Sequence, residues 1–242
     1  MRWLPRHLCA ASIPALLAGT AGSGCADNES SLFVRAVLRL QAPECVAKAD
    51  PSATVLLGGT LDVAFADTYR AALLVGNQLV RRGSRDQLRT ETARISLRGA
   101  EVYIDTAGGD SIYSFSIDGT GFADPGSGDE PGYGVMFVPL IPPRASRQIE
   151  VGHVVTVRVK VYGRTLGGTE IESNELYFPI YVCSGCLVSF PLEADDPATP
   201  GYQCSADPEQ AVGGDAPCWW GQDDAIVCTS CVTSHPGVCT EP

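Results

Sequence analysis

The chain has 242 residues, 28 Asp and Glu against 17 Lys and Arg, and a formal net charge of −11. Taking away Arg2 and Arg6, which belong to an N-terminal leader, moves that charge from −11 to −13. This excludes the electrostatic basis of nucleic-acid binding and of peripheral attachment to an anionic lipid surface.

The leader comes first. Arg2 and Arg6 precede an apolar run at 8–18, and small residues occupy 19–24 before Cys25. This is the anatomy of an export signal over residues 1–24. A thiol directly after a short apolar core and a small residue is also what lipoprotein signal peptidase requires, so Cys25 is the expected lipidation site and 25–31 a lipid-anchored tether. Gly22 departs from the leucine usual three positions before such a cysteine. Cleavage near Ala26, giving a soluble secreted chain, is the alternative. A membrane-spanning helix needs about 20 apolar residues, and no later stretch is long and apolar enough for one. Asn28-Glu29-Ser30 matches a glycosylation acceptor, which has no bearing in a bacterial exporter.

Over residues 32–182 apolar side chains recur with period two in short, turn-bounded segments. In 153–162, Val155, Val157, Val159 and Val161 share one face, and Thr156, Arg158, Lys160 and Tyr162 share the other. Leu61, Val63 and Phe65 alternate with Thr60 and Asp62, and Tyr113, Phe115 and Ile117 with Ser114, Ser116 and Asp118. Leu176, Phe178 and Ile180 repeat the pattern, with Pro179 marking an edge strand or a bulge. Further strands are expected at 32–41, 69–80, 93–105 and 134–141. Gly108-Gly109 and Gly167-Gly168 read as tight hairpins. Eight short strands without crossover helices predict an all-β fold, an antiparallel two-sheet sandwich of immunoglobulin or fibronectin type; a closed barrel is the alternative. Between Asp118 and Gly132 the sequence reads as a long loop with Asp118, Asp124, Asp129 and Glu130, a candidate binding loop. It lacks the spacing of an EF-hand, and acidic loops are ordinarily solvated surface.

Residues 183–242 form an acidic, cysteine-rich C-terminal module with seven of the ten cysteines and neither Lys nor Arg. Its apolar content is too thin to offset ordering entropy, so cross-links must supply the difference. Eight cysteines remain after Cys9 and Cys25: Cys45, Cys183, Cys186, Cys204, Cys218, Cys228, Cys231 and Cys239. In an exported chain they read as four disulfides. A zinc ribbon would space its two Cys-x-x-Cys pairs about 15–20 residues apart, far closer than Cys186 and Cys228. A redox pair would open a helix in a βαβ unit, whereas Cys183 ends a strand. No metal and no cofactor is therefore expected. Parity requires Cys45 to pair with a tail cysteine, most simply Cys183 or Cys186, where the first and last strands end. Trp219 and Trp220 are expected to form the tail's small core or to pack on the sheets; an exposed aromatic contact for sugar is the functional alternative.

Nucleophilic catalysis has only His153 and His235 in the mature chain, neither in a recognisable motif, so the chain reads as non-enzymatic. The segments SLFVRAVLRLQAPECVAKADPS, YRAALLVGNQLV and GQDDAIVC resemble uncharacterised exported lipoproteins of high-GC Gram-negative bacteria. The resemblance implies location and modular plan: a lipid-anchored protein of the bacterial cell envelope, at the outer membrane, or otherwise periplasmic or extracellular. The expected role is a binding or adhesion module for a protein or glycan partner. It touches membrane only through its N-terminal lipid and does not bind nucleic acid. A purely structural envelope component is the alternative.

Overall fold

The computed structural model describes residues 31–84, 89–190, 204 and 216–239. The leader, Cys9, Cys25, Ala26 and Asn28 lie outside them.

All eight expected strands are present and four short ones join them. In chain order they are β1 (Leu32–Leu38), β2 (Val55–Leu56), β3 (Gly59–Asp62), β4 (Tyr69–Asn77), β5 (Ile95–Thr106), β6 (Ser111–Ala123), β7 (Gly132–Ile141), β8 (His153–Thr165), β9 (Glu170–Glu172), β10 (Leu176–Cys183), β11 (Val188–Ser189) and β12 (Ile226–Val227). Three single-turn helices, α1 (Pro143–Ser146), α2 (Cys228–Cys231) and α3 (Pro236–Cys239), complete the described elements. One sheet has the order β2-β1-β4-β7; a second has β3-β10-β8-β5-β6, with β9 added to β8. Their facing sides share one core. Val34, Leu73, Val75, Met136 and Val138 come from the first sheet and Ile95, Val102, Val157, Val159 and Ile180 from the second, all nearly sealed from solvent. The period-two valines of β8 are thus the inward face.

Pairing is antiparallel with one exception among the long strands. β3 runs parallel to β10, Ile180 opposite Gly59 and Cys183 opposite Asp62. Residues 57 and 58 carry the chain from β2 in one sheet straight to β3 in the other, which sets β3's direction. Pro179 falls just before this pairing begins, so its missing N–H faces the part of β10 that is still an edge. Both glycine hairpins form, with Gly109 at φ 89° and Gly168 at φ 97°, in loops 107–110 and 166–169, longer than two residues.

The outer faces of the two sheets differ. Outside the second sheet, Arg158 is held by Asp105 at 2.7 Å and Glu175 at 3.3 Å and lies over the Tyr103 ring, while Lys160 pairs with Glu172. Those two carboxylates push the Arg158 guanidinium further up, keeping it charged. Outside the first sheet the surface is apolar. Leu38, Ala72 and Leu74 are buried there beneath segment 40–53 and Trp219. Buried Asn77 ties three segments at the opposite end, donating to Ala93 O at 2.9 Å and Ala123 O at 3.2 Å and accepting from Leu79 N.

Candidate functional site at the seam between sheets and tail

Among the described residues the tail's own sheet is the short pairing of β11 with β12, and the tail completes the edges of the other two. Residues 221–223 lie against β3: Asp62 N donates to Gly221 O at 2.8 Å, Asp223 N to Thr60 O at 3.1 Å, and Thr60 N to Asp223 Oδ1 at 2.8 Å. Gly221 sits at φ 72°, and a Cβ there would come within 2.9 Å of Asp62 O, so this approach requires glycine. On the other sheet the Gln222 carboxamide acts as a strand rung. Its Oε1 accepts from Arg70 N at 2.8 Å and its Nε2 donates to Arg70 O, where β1 has already ended. Arg39 reaches Asp224 at 2.8 Å. Buried Tyr69 donates its hydroxyl to Asp223 Oδ2 at 2.8 Å. Burial and then the adjacent carboxylate push the Tyr69 phenol up, so it stays a donor; burial also raises Asp223.

A second pin is Asp62, fully buried at the end of β3. Its Oδ1 accepts from Gly185 N at 2.7 Å and Ala64 N at 3.1 Å, and its Oδ2 from Leu187 N at 2.9 Å, so it holds the turn that carries Cys183 and Cys186. The alternation that placed Asp62 on a solvated face ends there, because β3 stops at Asp62 and Val63 and Phe65 lie outside the strand. Asp62, Cys183 and Cys186 bring ligand atoms within 4.8 Å of one another. Joined as a disulfide, the two sulfurs are not thiolates, and the carboxylate is already occupied by three N–H donors.

The disulfides are Cys45–Cys218, Cys183–Cys186, Cys204–Cys228 and Cys231–Cys239. Cys45 does pair with the tail, as parity requires, but its partner is Cys218 rather than Cys183 or Cys186. Those two close on each other across a three-residue separation at the end of β10. Cys45 sits instead beside the outer face of the first sheet, in the segment that covers Leu38 and Leu74 together with Cys218 and Trp219. The tail's own small core is made of Ile226 and the buried Cys204, Cys228, Cys231 and Cys239, with Phe65 and Val188 against it.

Neither tryptophan belongs to that core. Trp219 meets Phe137 edge to face at 6.3 Å; Trp220, 41% exposed, leans on Phe65 at 6.2 Å. Both line a groove of about 640 Å³ between residues 63–68 and residues 218–222, with Asp67, Thr68, Arg70 and Gln222 supplying polar groups. Aromatic rings and a guanidinium on a stapled backbone can take a flat, polar-edged ligand without reordering. A wider depression of about 900 Å³ lies at the opposite end of the sheets. Within it Arg94 pairs with Asp124 at 2.9 Å, and Glu91 accepts from Gly83 N and Ala93 N.

The four carboxylates of the expected acidic loop are not gathered. Asp118 lies within β6 opposite Gly99, six residues up the strand from Asp124, about 20 Å along an extended chain. The loop proper is 124–131, where Asp124 faces Arg94 and exposed Asp129 and Glu130 ride a turn closed by Ser127 N to Glu130 O at 2.9 Å. His153 is exposed at the start of β8, 3.7 Å from Glu150. His235 Nδ1 lies 2.9 Å from Ser234 Oγ, whose proton is committed to Cys231 O. Sequence reasoning singled out Trp219 and Trp220 and missed Asp62, Tyr69, Arg70, Gln222 and Asp223. No local pattern marks Gln222 or Asp223; the clue was the fully polar GQDD segment directly after two tryptophans, too polar for a core and too aromatic for a linker.

No protein-family model, no curated protein and no solved structure matches the chain.

Proposed function

We propose that the protein is an exported, non-enzymatic binding module whose seam groove takes a glycan. The observation that carries the reading is that Trp219 and Trp220, adjacent in sequence, both line one groove beside Arg70, Asp67 and Thr68 instead of filling the tail's core. Sugar rings offer an apolar face to aromatic side chains and hydroxyls to planar polar groups, and this groove has both. The scaffold is best described as a sandwich of immunoglobulin or fibronectin type, on the strength of two mostly antiparallel sheets sharing one core.

Anchoring through a diacylated Cys25 at the bacterial outer membrane fits the placement of the ends. The chain enters β1 at Leu32, the end of the sheets where β4 finishes and β5 begins. The seam groove lies at the other end, beyond Cys183 and Asp62. A tether at residues 25–31 would hold the groove away from the bilayer.

The test is a glycan array followed by calorimetry on the mature protein and its Trp220→Ala variant. Trp220 is partly exposed, so its removal should leave the melting temperature unchanged and weaken glycan binding by roughly tenfold. Absence of any glycan binding by the native protein, or full binding by the variant, would refute the groove. Intact-mass measurement of envelope-extracted protein tests the anchor through the mass of a diacylglyceryl group on Cys25.

A further inference from the structure

The outward face of β1, β4 and β7 continues from the groove wall, because Trp219 packs on Phe137 of β7. Four residues along β7, about 13 Å away, Tyr133 meets Phe33 edge to face at 6.2 Å across Gly76. Gly76 is needed there, since a Cβ would fall 2.1 Å from the Phe33 ring. Arg35, exposed at the bulge of β1, donates to Tyr133 Oη at 3.1 Å and lies over the ring at 5.8 Å. Phe137 is 55% exposed. The result is a line of rings from Trp219 to Tyr133 with a guanidinium at each end, Arg70 and Arg35.

Charge selects the ligand. In a chain with 28 acidic and 17 basic side chains, the outward positions of these strands that segment 40–53 does not bury carry two arginines and no carboxylate: Phe33, Arg35 and Ala36 on β1, Arg70 on β4, and Tyr133, Val135, Phe137 and Pro139 on β7. Of the carboxylates near the seam, Asp224 is paired with Arg39. The outer face of the other sheet is laced instead with Asp105, Glu172 and Glu175. Arg35 spends one donor of its five on Tyr133, which leaves a bidentate pair for a carboxylate.

We infer that this face binds an acidic oligosaccharide several rings long, its sugars stacked on Trp219, Phe137 and Tyr133 and its carboxylates met by Arg70 and Arg35. The inference rests on the glycan reading of the seam groove and adds the class and length of the ligand. The experiment titrates the mature protein with uronate oligomers (oligogalacturonate, oligoguluronate, oligomannuronate) and with their carboxyl-reduced, neutral counterparts. Acidic oligomers should bind roughly tenfold more tightly than neutral ones, with an advantage that shrinks as salt rises. Arg35→Gln should remove roughly tenfold for the acidic oligomers and clearly less for the neutral ones, which feel only the loosened Tyr133; Arg35→Lys, which keeps charge and loses the fork, should fall between. Tyr133→Ala should weaken long oligomers and spare disaccharides. Equal affinity for acidic and neutral oligomers, or an Arg35→Gln variant of native stability that binds acidic oligomers normally, overturns the inference while the groove stands. Failure of every oligomer to bind overturns both.

Discussion

The Cys45–Cys218 bridge is the perturbation with the largest expected effect on stability. It joins residues 173 apart, the longest closure among the four disulfides, whereas Cys231–Cys239 spans 8. On the chain-entropy account the long closure restricts the unfolded chain by about 5 kcal/mol and the short one by about 2.5 kcal/mol. Cys45 is held at φ 51°, the left-handed region, which costs a non-glycine residue about 1–2 kcal/mol that the cut chain recovers. The double variant Cys45→Ser, Cys218→Ser should therefore lose about 3–4 kcal/mol, more than Cys231→Ser, Cys239→Ser loses. Urea unfolding followed by tryptophan emission suits the measurement, because Trp219 rests on Phe137 next to the bridge. Emission should shift toward the solvated value at lower urea in the Cys45/Cys218 variant than in the other. A loss below about 1.5 kcal/mol, or one no greater than that of the Cys231/Cys239 variant, would show that the seam contacts alone hold the tail and that loop closure does not.

Three further outcomes follow from the same geometry. Asp62→Ala removes a buried carboxylate and strands three half-buried N–H donors, of Ala64, Gly185 and Leu187, and should cost about 2–4 kcal/mol in chemical denaturation, with Asp62→Asn losing less because one amide oxygen still accepts. Asp223, raised above its ordinary 3.8 chiefly by burial, binds its proton more tightly in the folded state, so its contribution is full below 3.8 and is lost as pH rises through the raised value; Asp223→Asn should flatten the difference in urea stability between about pH 4 and pH 7. Asn77→Ala removes two donors from Ala93 O and Ala123 O and one acceptor from Leu79 N, and should cost about 2–3 kcal/mol by the same assay without affecting glycan binding at the far end.

What could be read from the sequence was what period two reports. Val155 to Val161 face the core as their alternation says, because β8 is flanked by β5 and β10 and has one wet face. The reading failed where glycine misleads. Gly119 and Gly121 marked a loop, yet they lie within β6, where the strand passes so close to β7 that a Cβ on Gly119 would come 2.1 Å from Met136 Cε. A glycine required for close approach looks, in one sequence, like a glycine required for a turn. Asp62 misled by the same economy of pattern: an acid at an even position implies solvent, and nothing local announces that two backbone N–H groups from beyond β10 will join that of Ala64 on its carboxylate. Cys45 had an arithmetic signature without a spatial one. Parity established that it leaves its own segment, and only the covered outer face of the first sheet explains why Cys218 is the residue waiting there.

The seam makes stability and recognition share a backbone while keeping their side chains apart. A tail with nine acids and neither Lys nor Arg is too polar to rest on its small core alone, so it docks by main-chain and amide pairing on edges the sheets leave open: Gly221 and Asp223 on β3, Gln222 on β4. That docking consumes polar groups and leaves the rings of Trp219 and Trp220 turned onto residues 63–68 and β7. The same pairing seals the edge of β3, which would otherwise present unpaired N–H and C=O groups to other chains. On the glycan reading proposed above, a surface assembled in this way is rigid before ligand arrives, so little ordering entropy remains to be spent on association. It also explains why the rings sit in the stapled segment: a disulfide between Cys45 and Cys218 is the means by which so polar a stretch can hold an aromatic pair in place.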